Sequence, residues 1–183
     1  MKNIILLFLF FACTTIVRAQ DKYYTKSGKI NFYSKTPLED IEAKNKSVVC
    51  VLDTKSGDLQ FSVLMKGFEF RNEEMQEHFN SDFLESDKYP KAGFKGQILN
   101  NAAINYIKPD TYAAQVKGVL TIHGVTKAIQ TNGTITTGAD GLKASATFTI
   151  QVADYNIKIP SLVRDKIAKT VTIIVDCNLD PLK

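Results

Sequence analysis

The chain has no tryptophan, only two histidines, three cysteines and five prolines among 183 residues. Each shortage removes a class of function. No GxSxG elbow, HExxH, CxxC, P-loop or GxGxxG occurs, so the hydrolases, zincins, dithiol oxidoreductases and nucleotide-binding folds that depend on them have no foothold. Without tryptophan, and without any Lys/Arg cluster, there is no footprint for nucleic acid. Long apolar runs are missing after the first 20 residues. None approaches the roughly 18 residues that carry a helix across a bilayer, so no integral membrane span is expected.

The N-terminus is the exception. MKNIILLFLFFACTTIVRAQ places Lys2 before an apolar stretch from Ile4 to Ala12, then Val17-Arg18-Ala19 as a small-residue cleavage site. This predicts a signal peptide over residues 1–19, cut after Ala19, and an exported (periplasmic or secreted) domain over 20–183. A competing reading places a lipid on Cys13 as a lipoprotein anchor, but Phe10 stands where such a motif usually has leucine. Removing Lys2 and Arg18 lowers the net charge from +4 to 21 − 19 = +2, so part of the basic character belongs to the leader. Cys50 and Cys177 remain. Export permits a disulfide between them, although strand positions suit two buried thiols slightly better.

What fills the rest is alternation. Tyr112, Ala114, Val116, Gly118, Leu120 and Ile122 share one face of a run; Leu142, Ala144, Ala146, Phe148, Ile150 and Val152 share another. Period-two apolarity marks strands with one buried face. Shorter runs around Ile30, Val48, Leu59, Ala92, Ile104, Val125 and Val171 repeat it, separated by turn residues such as Thr54-Lys55-Ser56-Gly57-Asp58. Eight or nine strands in sequential hairpins predict an all-β fold, either an up-and-down barrel or a sandwich. Small inward residues (Ala92, Gly96, Ala114, Gly118, Ala144, Ala146) alternate with Phe61, Phe94 and Phe148. They either make room for bulky neighbours or leave space for a ligand.

One segment breaks the pattern. In NEEMQEHFNSDFLESDKYP, Met75, Phe79 and Phe83 recur every four residues, behind Asn72 as a cap and two glutamates in the first turn. This predicts a short amphipathic helix laid over the interior, and a weaker second helix is expected in SLVRDKIAK after Ser161. His78, with Glu74 and Asp82 four residues to either side, could present a metal-binding trio, but a solvated helix face accounts for it better. His123 falls on the polar side of its strand and is expected outward, exposed or bonded to its turn. Asp154-Tyr155-Asn156 either closes a strand or positions a ligand's polar group.

Four pieces, in order, resemble the YceI-like, polyisoprenoid-binding family. His78-Phe79, Asp82-Phe83 and Ser86-Asp87-Lys88-Tyr89-Pro90 are similar to its H-L…D-F-F…K-Y-P stretch, and Phe94-Lys95-Gly96 to its F-K-S strand start. GVLTIHGVTK (118–127) resembles its G-x-L-T-x-x-G-V-T-K signature, and Asp154-Tyr155-Asn156-Ile157 its D-F-G-I motif. The match spans about residues 28 to 180. Val152 stands where arginine is frequent in the family and Asn156 replaces glycine, departures that bear on polar contacts rather than on the fold. The resemblance implies an eight-stranded antiparallel lipocalin-like barrel, capped by one or two short helices and holding an isoprenoid-type lipid, with no catalytic residues, metal or other cofactor. The expected lining is Phe61, Val63, Phe94, Ile98, Val116, Leu120, Ile122, Phe148, Ile150 and Val152, covered by Phe79 and Phe83. An enzyme or accessory factor of lipid or quinone metabolism, a solid-core module and a homodimer are the competing expectations.

Overall fold

A computed structural model describes residues 21–139 and 141–182. The expected signal peptide and Cys13 lie outside the described residues.

Eight long strands form one antiparallel sheet that closes on itself: β1 (Lys22–Lys35), β2 (Asp40–Asp53), β3 (Asp58–Leu64), β5 (Lys91–Ile98), β6 (Asp110–Ile122), β7 (Val125–Gly138), β8 (Gly141–Gln151) and β9 (Thr170–Pro181). The two-residue β4 (Glu69–Phe70) adds to β2 beside Ala43 and Lys44. Spatial order is β1-β9-β8-β7-β6-β5-β3-β2, and β1 pairs again with β2 to close the ring. The sandwich is thereby excluded. Closure removes most of the free sheet edge, the usual liability of an all-β protein. The alternating faces fall as the sequence predicts: Ala114, Val116, Leu120 and Ile122 are buried along β6 while Ala113, Gln115 and Lys117 are exposed.

Local chemistry sets the turns. Between β2 and β3, the Asp53 carboxylate accepts from the amides of Lys55 and Ser56, and Gly57 takes a φ of +79°. The β6–β7 hairpin turns on His123 and Gly124, with φ of +51° and +72°, after the last pair Ile122–Val125. Two successive positive φ values give the primed turn that suits right-twisted strands.

One end of the barrel is solid. Leu52, Ile98, Leu179, Cys50 and Cys177 are essentially inaccessible there, beneath the loop after β5. In that loop the Tyr106 hydroxyl donates to Asn101 at 2.6 Å. Ile104 and Tyr106 do not form the expected strand; a 3-10 turn at Asn101–Ala103 leads into a coil that plugs this end. Cys50 and Cys177 are free thiols, both fully buried. The neighbouring Cys177 thiol, with burial, pushes the Cys50 thiol far up.

The opposite end carries the helical elements. Helix α1 (Glu73–His78) starts on Asn72, whose side-chain Oδ1 accepts from the amides of Glu74 and Met75 at 2.8 and 3.4 Å, and it runs on into a wider π-type turn over Phe79–Phe83. The second expected helix is absent. Residues 161–163 form a single 3-10 turn, because Leu162 is 92 % exposed and no apolar stripe exists to hold a longer helix down.

An apolar chamber under a bolted roof

The interior is not solid. Between the packed floor and the helical end lies a cavity of about 250 Å³, far above the roughly 10–15 Å³ that holds one water on a comparable measure. Eleven of the twelve residues expected to meet a ligand line it: Phe61, Val63, Phe94, Val116, Leu120, Ile122, Phe148, Ile150 and Val152 in the wall, Phe79 and Phe83 in the roof. Ile98 does not; at 2 % exposure it belongs to the floor. The Phe94 ring explains this. A Cβ built on Gly96 or Gly118 would meet its Cζ at 2.5 or 2.6 Å, so the ring lies across both glycines and shuts Ile98 off from the chamber.

The two readings of the small inward residues are therefore both correct, at different levels of the barrel. Gly96 and Gly118 are small to seat Phe94. Ala92, Ala114, Ala144 and Ala146 are small and face open space.

The roof has two parts. In the first, Phe79 packs among Phe32, Phe68 and Phe70 with centroids 5.4, 5.7 and 5.0 Å away. Geometries of this kind stabilise beyond the area they bury. The second part is the segment after β8, which sends Ile157, Ile159 and Ile167 into the chamber. Neither this segment nor Phe68 and Phe70 belongs to a periodic run, so sequence reading missed them. Phe68-Glu69-Phe70 beside the helix was the available signal.

His123 joins the two parts and is not the exposed wall residue expected. Its side chain is 10 % exposed. Nδ1 lies 3.1 Å from the Tyr155 carbonyl oxygen and Nε2 lies 2.8 Å from the Glu85 carboxylate. Both are acceptors, so each nitrogen donates when both bonds are made. The Tyr89 ring meets the imidazole edge-on at 4.6 Å. Strand alternation stops at Ile122, and the left-handed backbone of residue 123 swings the ring off the outward face. The only non-glycine residues with positive φ among the described residues are Glu85, His123 and Asn156; the first two are bonded to each other here, and the third follows Tyr155, whose carbonyl meets His123. The fold holds a locally costly backbone at the point where roof and wall are fastened.

Hydrogen bonding to His123, helped by the Lys88 charge, holds the Glu85 carboxyl below its ordinary value of 4.5. A lowered carboxyl contributes above its ordinary range and loses that contribution as pH falls through the folded-state value. Acidification below about pH 4 should raise amide exchange over residues 79–90, while the floor strands stay protected. Equal protection at both ends in acid would show that this contact holds nothing.

Other polar candidates lie apart. His78 is on the surface, 2.7 Å from Asp82 and 3.8 Å from Glu74. The Asp82 bond raises the histidine's pKa and lowers the carboxyl's. No group of three His, Cys, Asp or Glu among the described residues is placed to hold a metal ion. Tyr155 is 2 % exposed and its carbonyl serves His123, whereas Asp154 is exposed. No lining residue carries a titratable side chain. What the chamber offers a guest is removal of apolar surface from water.

A closed antiparallel barrel with a solid floor, an apolar chamber and a short helical roof is lipocalin-like. The chain belongs to the YceI-like family, whose domain model matches residues 21–179. The fold is similar to that of a polyisoprenoid binding domain from Saccharophagus degradans implicated in plant cell wall breakdown. That likeness has a TM-score of 0.78 at 15 % identity and covers 90 % of this chain and 100 % of that one. It is also similar to BcnA of Burkholderia cenocepacia, with a TM-score of 0.67, 18 % identity and coverage of 83 % and 94 %. A Campylobacter jejuni YceI protein crystallised with a monobromobimane guest gives 0.56 at 21 % identity, covering 75 % of this chain and 81 % of that one. Among curated proteins none matches.

Proposed function

We propose that this protein is an exported, non-enzymatic carrier or sequestering protein that holds a polyisoprenoid or isoprenoid-quinone-like lipid in its chamber. The observation that carries the reading is the chamber's lining: apolar wall and roof residues around about 250 Å³, without an ionisable group. Membership of the YceI-like family and the resemblance to a polyisoprenoid binding domain support it. Each Å² of apolar ligand surface buried contributes roughly 25 cal/mol before ordering costs, and a chain of branched isoprene units presents mostly such surface. The signal-peptide pattern of residues 1–19 supports export, and no helix among the described residues is long and apolar enough to cross a membrane.

Protein purified without detergent, extracted into organic solvent and analysed by mass spectrometry, should release one dominant isoprenoid-type lipid. Protein that releases no lipid, and takes up no polyprenyl probe afterwards, would refute the proposal.

A further inference from the structure

The ring of strands is closed, yet two of its ladders are short: β2–β3, where β4 adds to the open stretch of β2, and β7–β8, where no strand does. β6 and β7 pair along their whole length, from Asp110–Thr137 to Ile122–Val125, and β8 pairs with β9 from Leu142 to Gln151. Between β7 and β8 the pairing runs only from Gly138–Gly141 to Gly133–Ala146 and stops there. Above that point Val125–Asn132 of β7 and Thr147–Gln151 of β8 make no ladder to each other. The wall has a lateral seam that runs from the last pair up to the roof.

Three observations tie the seam to the chamber. Thr134 and Ser145 sit at outward register positions, paired with each other one pair below the end of the ladder, yet both line the cavity. The chamber therefore borders the wall beside the point where pairing ends. Lys127 pairs with inward-facing Leu120 and shares its face with Val125 and Ile129, yet it is exposed. A lysine holds an inward register position at no desolvation cost only where no neighbouring strand covers it. Four Ser or Thr residues line this otherwise apolar chamber, and three of them, Thr131, Thr134 and Ser145, lie at the seam. The remaining boundaries are held otherwise: the floor is packed solid and the roof is bolted through His123.

We propose that the β7–β8 seam is the doorway of the chamber. A single-headed amphiphile threads its apolar chain between the two strands, and its polar head comes to rest in the seam beside Thr131, Thr134 and Ser145. The unpaired main-chain groups of both strands border this opening, and Lys127 lies on the same unpaired stretch of β7. This rests on the lipid-holding reading above and adds the route and the orientation of the ligand: tail toward the Phe94 floor, head at the side wall rather than under the helix.

The test bridges the seam. Continuing the register past Gly133–Ala146 would place Gln130 opposite Thr149, and both are exposed. A Q130C/T149C variant is linked with a short bis-maleimide, which spares the buried Cys50 and Cys177. The same variant capped with N-ethylmaleimide is one control. A K117C/Q130C variant linked across the fully paired β6–β7 ladder is the other. Uptake of a dansyl-labelled polyprenol is followed by stopped flow. Bridging the seam should slow uptake at least tenfold, and should slow release from preloaded protein equally, while both controls behave as the wild type. Seam-bridged protein that loads as fast as the ladder-bridged control overturns the doorway. Failure of every form, wild type included, to take up the probe overturns the lipid-holding reading and the doorway with it.

Discussion

Replacing Phe79 by alanine should cost about 3–5 kcal/mol of stability, the range for a large aromatic removed from a packed site. Few side chains here are as well placed to show it. Phe79 is 9 % exposed and touches Phe32 of β1, Phe68 before β4 and Phe70 of β4 within one cluster. The helix that leads to it is six residues long, too short to persist without tertiary contacts. Losing the ring should therefore free the first part of the roof, from Arg71 to Pro90. Denaturant unfolding would measure the loss, and limited proteolysis would place it: cleavage between residues 71 and 90 should precede cleavage anywhere in the barrel. Phe79→Leu should recover more than half of the stability. A loss under about 1 kcal/mol, small even for a conservative core change, would mean that Phe79 does not anchor the roof.

The second large effect is on binding with the fold intact. Ala146 faces the chamber between Ala144 and Phe148, so Ala146→Phe puts a ring where a ligand chain would run. Displacing about 110 Å² of ligand contact at roughly 25 cal/mol per Å² costs about 2.8 kcal/mol, or about a hundredfold in affinity. Unlike a substitution into a packed core, which forces neighbours off their rotamers, this one fills open space. The variant should keep the wild-type circular dichroism spectrum and melt no earlier, while probe affinity drops a hundredfold or more. Unchanged affinity would place the ligand elsewhere. The matching change at Gly118 should instead unfold the protein, because the Phe94 ring already occupies that space.

That contrast shows what the sequence could and could not disclose. Alternation is a local property, so the strands, their inward faces and nine of the ten expected wall residues were legible from it. The Asn72 cap and the four-residue spacing of Met75, Phe79 and Phe83 made α1 legible in the same way. Whether a small inward residue seats a neighbour or faces a void depends on rings arriving from other strands, and no local pattern carries that. Ile98 obeys the same alternation as Phe94 and still falls in the floor. His123 was misplaced for a related reason: parity assumes that the strand continues, and the left-handed turn ends it one residue earlier. Its partners Glu85 and Tyr155 are 38 and 32 residues away. The half-made β7–β8 ladder left only a faint trace in sequence: Lys127 and Thr131 interrupt the inward face of Val125–Asn132, and they are identified as inward only once the register with β6 is known.

The central claim is that the barrel's chamber holds one apolar chain, and a crystal structure of the protein purified without detergent tests it most directly. Continuous elongated density is expected inside the barrel, in contact with Phe61, Leu120 and Phe148, with its polar end between β7 and β8. An empty chamber, or one closed by inward collapse of the walls, in protein that also fails to bind a polyprenyl lipid would contradict it.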